Sequence, residues 1–366
     1  VIQLKKISIN QLICLVILNQ VGVSVLSIPY KMSQISGYDS WMSLIIGGVI
    51  AQIGILVVYQ LGKNYPNQPI QQYIVSIIGK PLGLIINLLF AAYCAESCLM
   101  LVVSYSDVIN RWLLFETPWF VLIGLLVIVT GYIASSSLRS ISTITQSITL
   151  MFLVCFGIIF TSSFGKGGDI RHFLPIGTHG ITPILKGAVP AFWAFAGYEL
   201  LLYVFPFVKC KKKKEIFVAM SVANGITTLF YVFIAFIVTY NFSEKQLTLI
   251  PEPMIFILRK YRWPVVQSFY ILFIAIWLSV TLVTAYIYLF LSARYLAFIG
   301  RKENRNHSLL VWLIATVCFV AGIFFTQRQL IPRFSDFHNI TTPIFIMGVP
   351  TILLLISFVK EKVASK

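Results

Sequence analysis

Ten long apolar segments run through this chain of 366 residues, and the first and the sixth are each interrupted partway by glycine and then proline. The interruptions constrain the fold more than the apolar content does. A continuous helix satisfies its own backbone in hydrocarbon. A broken one frees N–H and C=O groups that lipid cannot pair, so protein, water or a bound group must satisfy them.

The membrane setting follows from composition. Hydrophobic residues make up 58% of the chain and charged residues 11%, with a mean hydropathy of +0.89, against roughly 25% charged residues in soluble domains. A hydrocarbon core about 30 Å thick needs about 20 apolar residues per helix. The segments fall near 8–28, 41–62, 82–109, 118–135, 141–162, 183–207, 216–240, 265–298, 308–326 and 340–359. The reading is an all-α integral membrane protein of ten transmembrane helices, a single domain over 1–366.

An even number of spans puts both termini on one side, and the bias of Lys and Arg between loops selects it. A cytoplasmic N-terminus places 17 of the 28 Lys and Arg inside and 11 outside, with seven acids outside and three inside. Both termini are therefore expected in the cytoplasm. The net charge of +16 sits in short loops beside helix ends, notably Lys209-Cys210-Lys211-Lys212-Lys213-Lys214. Topology and anionic membrane lipid account for it, with an acidic partner as the other reading of that run; nothing points to nucleic acid.

Five of the six cysteines lie in spans, which implies no disulfide framework. Cys94 and Cys98 share a helix face without a histidine nearby in sequence, so no metal is expected. The first apolar stretch runs too long and lacks the small-residue pattern of a cleavable signal, and is expected to remain as a span. Val1 is either a GUG start read literally or a trimmed end.

Cutting after the fifth span gives halves of about 8–162 and 183–359, each opening with a broken helix. Five is odd, so a second copy would be inverted. Discontinuous helices at matching places in two inverted halves point to a binding site near the midplane, although no residue-level repeat accompanies them.

In span 1, Gly22 can take conformations closed to other residues and Pro29 removes a donor, so unwinding is expected between them, through Val23, Ser24 and Val25. The half-helix beyond would favour a carboxylate, and unwound carbonyls a cation or ammonium; a plain end to the span is the alternative. In span 6, Phe195-Ala196-Gly197-Tyr198-Glu199 sets an acid beside a helix-weakening glycine. A carboxylate within a span costs about 2.5–3.5 kcal/mol on insertion scales and needs a partner. Glu199 either clamps a freed N–H or serves a ligand or proton. Tyr93 and Glu96 in span 3 are three apart and share a face. Tyr93 either meets a ligand or packs between helices, and Glu96 pairs with a polar group of another span or a coupling proton. In span 8, Thr281 and Thr284 either bond their own backbone or complete a small cation site.

His172, His179, His307 and His338 are all read as lying in loops or at helix ends. No Ser-His-Asp set, HExxH motif or phosphate-cradling glycine loop is present. A hydrolase, transferase or pump ATPase is not indicated, no cofactor is expected, and the protein is read as a non-enzyme.

Three features together resemble the spore germination permeases, the B subunits of endospore germinant receptors, within the amino acid, polyamine and organocation transporter superfamily. They are the run from Gly22 to Pro29, the Phe195-to-Glu199 stretch with its proline and lysine run downstream, and Gly37-Tyr38-Asp39-Ser40-Trp41 before span 2. The resemblance spans the chain and implies a ten-helix, LeuT-like fold of five-plus-five inverted repeats with helices 1 and 6 broken. It also implies a place in the spore inner membrane beside A and C receptor subunits. Such a subunit would bind a small germinant, an amino acid or a nucleoside-class nutrient, and help to trigger germination. Carried onto this chain, the ligand site comprises Gly22, Val23, Ser24, Val25, Tyr93, Phe195, Ala196, Gly197 and Thr284, with Glu199 bracing the break. Val23 and Ser24 stand where small residues and glycine are common in the family. A proton- or sodium-coupled amino acid permease and a structural scaffold with a vestigial pocket are the rival readings.

Overall fold

The structure, a computed structural model, describes residues 6–22, 24–163, 168–174, 176–177, 180–260, 268–300 and 307–364. Helices dominate. In chain order they are α1 (Ile9–Gln20), α2 (Ser24–Ser36), α3 (Ser40–Asn64), α4 (Ile70–Ile78), α5 (Lys80–Trp112), α6 (Trp119–Ala134), α7 (Leu138–Ser163) and α8 (Ile181–Trp193). There follow α9 (Leu200–Val204), α10 (Lys214–Asn241), α11 (Glu244–Leu247), α12 (Pro253–Lys260), α13 (Phe269–Ile299), α14 (His307–Ile323), α15 (Leu330–Pro343) and α16 (Val349–Ala364). The only β pairing among the described residues is a parallel bridge between Ile7 and Val208.

Among the described residues, seven stretches are long and apolar enough to cross a bilayer: Val25–Asn64, Lys80–Trp112, Leu138–Ser163, Lys214–Asn241, Phe269–Ile299, His307–Thr326 and Leu330–Lys360. The protein is thus an all-helical integral membrane protein. The other apolar helices are shorter for identifiable reasons. α1 and α8 have 12 and 13 residues because segments 1 and 6 are interrupted, and at 1.5 Å per residue each reaches only about 20 Å. α6 has 16 residues, closed by Pro118 before it and Ser135 after it.

The interruptions fall where glycine was read, but not with the expected extent. α1 stops at Gln20 and α2 resumes at Ser24, so the helix runs on through Pro29 rather than unwinding up to it. α8 likewise continues past Pro190 to Trp193, and the chain then turns through 194–199 before α9. The last helix also begins earlier than hydropathy suggests. α15, a π-helical turn over Ile344–Gly348 and α16 run on without a gap from Leu330, because polar residues such as Ser335, Asp336 and His338 depress the apolar signal without breaking the helix. His338 therefore lies inside a helix, which corrects the reading that placed every histidine in a loop or at a helix end.

α13 is the central column. From Val280 to Ala297 nearly every side chain is buried, and α5 lies along it, its Tyr105 hydroxyl reaching the Ile274 carbonyl at 2.6 Å. α3 packs on α8 and α10, and α10 packs on α1. At one end the two broken segments are tied to each other, since Ile7 N–H donates to Phe207 O at 2.9 Å and Lys209 N–H to Ile7 O at 2.8 Å. Ser8 and Gln11 close a reciprocal capping box that starts α1 at that point.

At the opposite end, Gly37, Tyr38 and Asp39 organise the connecting segments. Gly37 takes φ +54° between α2 and α3. Tyr38 stacks on His172, donates to Phe242 O at 3.4 Å and accepts from Glu244 N–H at 2.7 Å, while both Asp39 oxygens accept from Gly177 N–H. Nearby, Arg111 pairs with Asp107 and in bidentate fashion with Glu252, and Arg328 reaches Asp107 and Asn110. These contacts join α5, the approach to α12 and the segment between α14 and α15.

Candidate functional site

The two helix breaks meet. At the first, helix geometry is lost after Gln20, and the carbonyls of the last turn of α1 find partners on other helices. Thr284 Oγ1 on α13 donates to Leu18 O at 3.1 Å and lies 3.3 Å from Asn19 O, while the Tyr231 hydroxyl on α10 donates to Gln20 O at 2.8 Å. At the second break, Gly197 adopts φ +124°, a conformation that L side chains rarely adopt. A Cβ there would come within 2.9 Å of the Asn19 carbonyl carbon and oxygen. Glycine is needed at that position both for its dihedral and for the close passage of α1.

Carboxamides stitch the breaks together. Asn19 Nδ2 donates to Gly197 O at 2.8 Å, and Gln20 Nε2 donates to Phe195 O at 3.1 Å. Since both partners are carbonyls, each amide must present its nitrogen to the break. The two amide oxygens, Asn19 Oδ1 and Gln20 Oε1, are buried and have no hydrogen-bond partner among the described residues, and neither does the buried Thr281 hydroxyl on α13. The Tyr231 hydroxyl also lies 3.2 Å from Ala194 O, so one phenol spans both breaks. Asn224 on α10 supports the set, pairing with Gly48 O, Gln52 and Gln20.

Glu199 closes the second break from within. Its Oε2 accepts from Gly197 N–H at 2.7 Å, two residues back, and its Oε1 accepts from the Tyr288 hydroxyl at 2.6 Å and from the Tyr93 hydroxyl at 3.5 Å. The side chain is buried, and no described cation pairs with it. A carboxylate in such surroundings rests on hydrogen bonds alone. The neighbouring Tyr198 hydroxyl donates to Ile346 O in the π-helical turn at 3.1 Å, its ring passing α3 at Gly54, where a Cβ would overlap the phenol oxygen.

The structure therefore brings Gly22, Phe195, Gly197, Thr284, Tyr93 and Glu199 around one centre. Val25 is buried beside it and Ala196 is half-buried. Val23 lies outside the described residues, as does the side chain of Ser24. Gly22 is at the break but outside the left-handed region of φ, and a Cβ there would meet only Thr284 Oγ1 at 3.5 Å and Leu101 at 3.7 Å. Its conformational freedom is not in use. Glu96 lies apart from this centre, paired with His338 Nδ1 at 3.0 and 3.1 Å.

Sequence reasoning passed over Asn19, Gln20, Asn224, Tyr231, Tyr288 and His338 as site residues. A signal for the first three was available, since a carboxamide in a span is costly unless it pairs. Two consecutive ones before a glycine mark a place where backbone needs partners. The tyrosines carry no such signal, because a phenol packs between helices as readily as it bonds across them.

Comparison with known proteins relates the chain to spore germination proteins. A family profile described as "Spore germination protein" matches residues 6–330. Spore germination protein GerQB of Bacillus cereus is 24% identical over 264 residues, covering 72% of each chain. Spore germination protein YndE of Bacillus subtilis is 25% identical over 276 residues, 75% of each. Spore germination protein A2 of Bacillus subtilis is 22% identical over 367 residues, 99% of this chain and 98% of that one.

Proposed function

The chain belongs to the spore germination protein family, and from that premise we propose that it is a germinant-receptor B subunit that binds a small germinant where its two broken helices meet. The observation that carries this reading is the stitching of the breaks by Asn19 and Gln20, which leaves two buried amide oxygens without a partner among the described residues, as the Thr281 hydroxyl also is. Polar capacity held at the centre of an apolar bundle suits a polar ligand of amino acid or nucleoside size.

In this proposal the subunit has the ten-helix, LeuT-like arrangement of two inverted five-helix repeats, 8–162 and 183–359. It lies in the spore inner membrane with both termini in the cytoplasm, beside A and C subunits. The ligand meets backbone at Gly22 to Val25 and Phe195 to Gly197, with Tyr93 and Thr284 at its sides and Glu199 bracing the second break. Thr281 and Thr284 are the place for a small cation. No covalent chemistry is involved. A germinant acts by binding one arrangement of the breaks better than another, and a ligand with equal affinity for both would shift nothing. Driving the arrangement from 1:99 to 99:1 needs about 10⁴-fold preference.

The test is germination by spores carrying Gly197→Leu in this subunit, with assembly of the receptor verified. The proposal expects no response at germinant concentrations that saturate the unmodified receptor; a normal response would refute it. A proton-coupled amino acid permease is the second reading, favoured by the buried Glu199 that no described cation neutralises. Concentrative uptake by proteoliposomes under an imposed proton gradient would establish flux, and binding without uptake would exclude it.

A further inference from the structure

A second polar feature lies outside the meeting of the breaks. Between α5 and α15 there is a cavity of about 240 Å³, whose rim residues Leu89 and Phe337 are about half exposed on the outer, lipid-facing side of the bundle. Three rings, Tyr93, Phe337 and Phe345, line it together with Ala92, Thr341 and the carboxylate of Glu96. Tyr93 and Phe345 stack at 4.7 Å and 12°, so this wall is ordered by packing. Glu96 stands 16 residues beyond the start of α5, about 24 Å along the helix axis, which is deep within the hydrocarbon layer.

The hydrogen-bonding account of the cavity is one-sided. A carboxylate offers about four acceptor sites, and the donor recorded on Glu96 among the described residues is His338 Nδ1. The other imidazole nitrogen lies 3.3 Å from Thr342 Oγ1, whose own proton serves His338 O at 2.7 Å. Thr341 Oγ1 is likewise committed to His338 O, and the Tyr93 phenol to Glu199. What remains is acceptor capacity on a carboxylate that is only 14% exposed, and among the described residues no Lys or Arg lines the cavity. A ligand must bring donors, a positive charge suits the carboxylate, and aromatic faces attract organic cations.

We propose that this cavity is a second, lipid-facing site that binds a small organic ammonium ion. The nitrogen docks on Glu96 in addition to His338, and the apolar part is enclosed by Tyr93, Phe337 and Phe345. The volume equals about eight waters at about 30 Å³ each, enough for a benzylamine-sized molecule. Tyr93 forms the partition, with its ring in the cavity wall and its hydroxyl at Glu199, so an occupant here would press on the wall of the central site. This inference stands independently of the germinant proposal.

The experiment is equilibrium binding of radiolabelled benzylamine at pH 7 to the full chain in phosphatidylcholine nanodiscs, with empty nanodiscs to subtract partitioning. Saturable binding is expected, weakened about 10- to 100-fold by Glu96→Gln, the loss of one charge-assisted bond. Ala92→Phe, which adds bulk to the cavity wall one turn before Glu96, should reduce binding at least as much. Benzyl alcohol, which keeps the ring and a donor but not the charge, should compete at least about tenfold more weakly. No saturable binding to the unmodified chain would overturn the proposal, as would equal competition by the alcohol. Unchanged affinity in Ala92→Phe would do the same even if Glu96→Gln failed to fold.

Discussion

Gly22 and Gly197 look equivalent in sequence, each marking a break, yet the structure predicts opposite responses to alanine. At Gly197 the dihedral of +124° costs a side-chain residue about 1–3 kcal/mol. The new Cβ would also sit 2.9 Å from the backbone of Asn19 and push that segment away. Displacement weakens the Asn19–Gly197 hydrogen bond, worth about 1 kcal/mol. The sum is a destabilisation of about 2–4 kcal/mol. At Gly22 neither term operates, since φ is ordinary and the nearest atoms would be in van der Waals contact. Alanine there should be neutral or stabilise by about 0.4–1 kcal/mol through the unfolded chain. Denaturant unfolding of the chain in nanodiscs, followed by the fluorescence of its seven tryptophans, measures both. Equal losses for the two variants, or a stable Gly197→Ala, would refute the geometric argument.

Removing the Glu199 side chain by alanine strands the Gly197 N–H and the Tyr288 hydroxyl, an expected loss of about 2–4 kcal/mol at about 1–2 kcal/mol for each stranded group. Glutamine can keep both contacts and should cost under about 1.5 kcal/mol, a contrast that the same unfolding assay resolves. At the end of the bundle that holds Asp39, Arg111→Ala leaves Glu252, which is 8% exposed, without its partner. It should destabilise by about 3–5 kcal/mol, and Glu252→Gln in the same background should recover a large part of that, as a double-mutant cycle would show. Tyr38→Phe removes the contacts to Phe242 and Glu244. It should speed amide hydrogen exchange in α11 and around 168–174 while leaving α13 unchanged.

What the sequence disclosed was the need, and what it withheld was the partner. A glycine before a carboxylate in an apolar run announces freed backbone near Gly197, and the break is there. The same rule gave Gly22 and Pro29 as the ends of one unwound stretch, but Pro29 sits within α2 because a helix packed on its neighbours can tolerate a lost donor. Gln20 and Phe195 are 175 residues apart; only the fold puts the amide of one against the carbonyl of the other. Glu96 shows the same limit. Its burial in a span signalled a partner, but His338 lies in a stretch whose polarity masks a helix, so hydropathy set it in a loop.

The central claim is that the meeting of the two breaks is a ligand site. The most direct test is saturation binding of a panel of labelled amino acids and nucleosides to the purified chain in nanodiscs, comparing the unmodified protein with Gly197→Ala, Gly22→Ala and Tyr93→Ala, each checked for folding. The account predicts saturable binding of one ligand class, lost with Gly197→Ala, weakened with Tyr93→Ala and kept with Gly22→Ala. Absence of saturable binding to the folded chain, or binding that folded Gly197→Ala leaves intact, would contradict it.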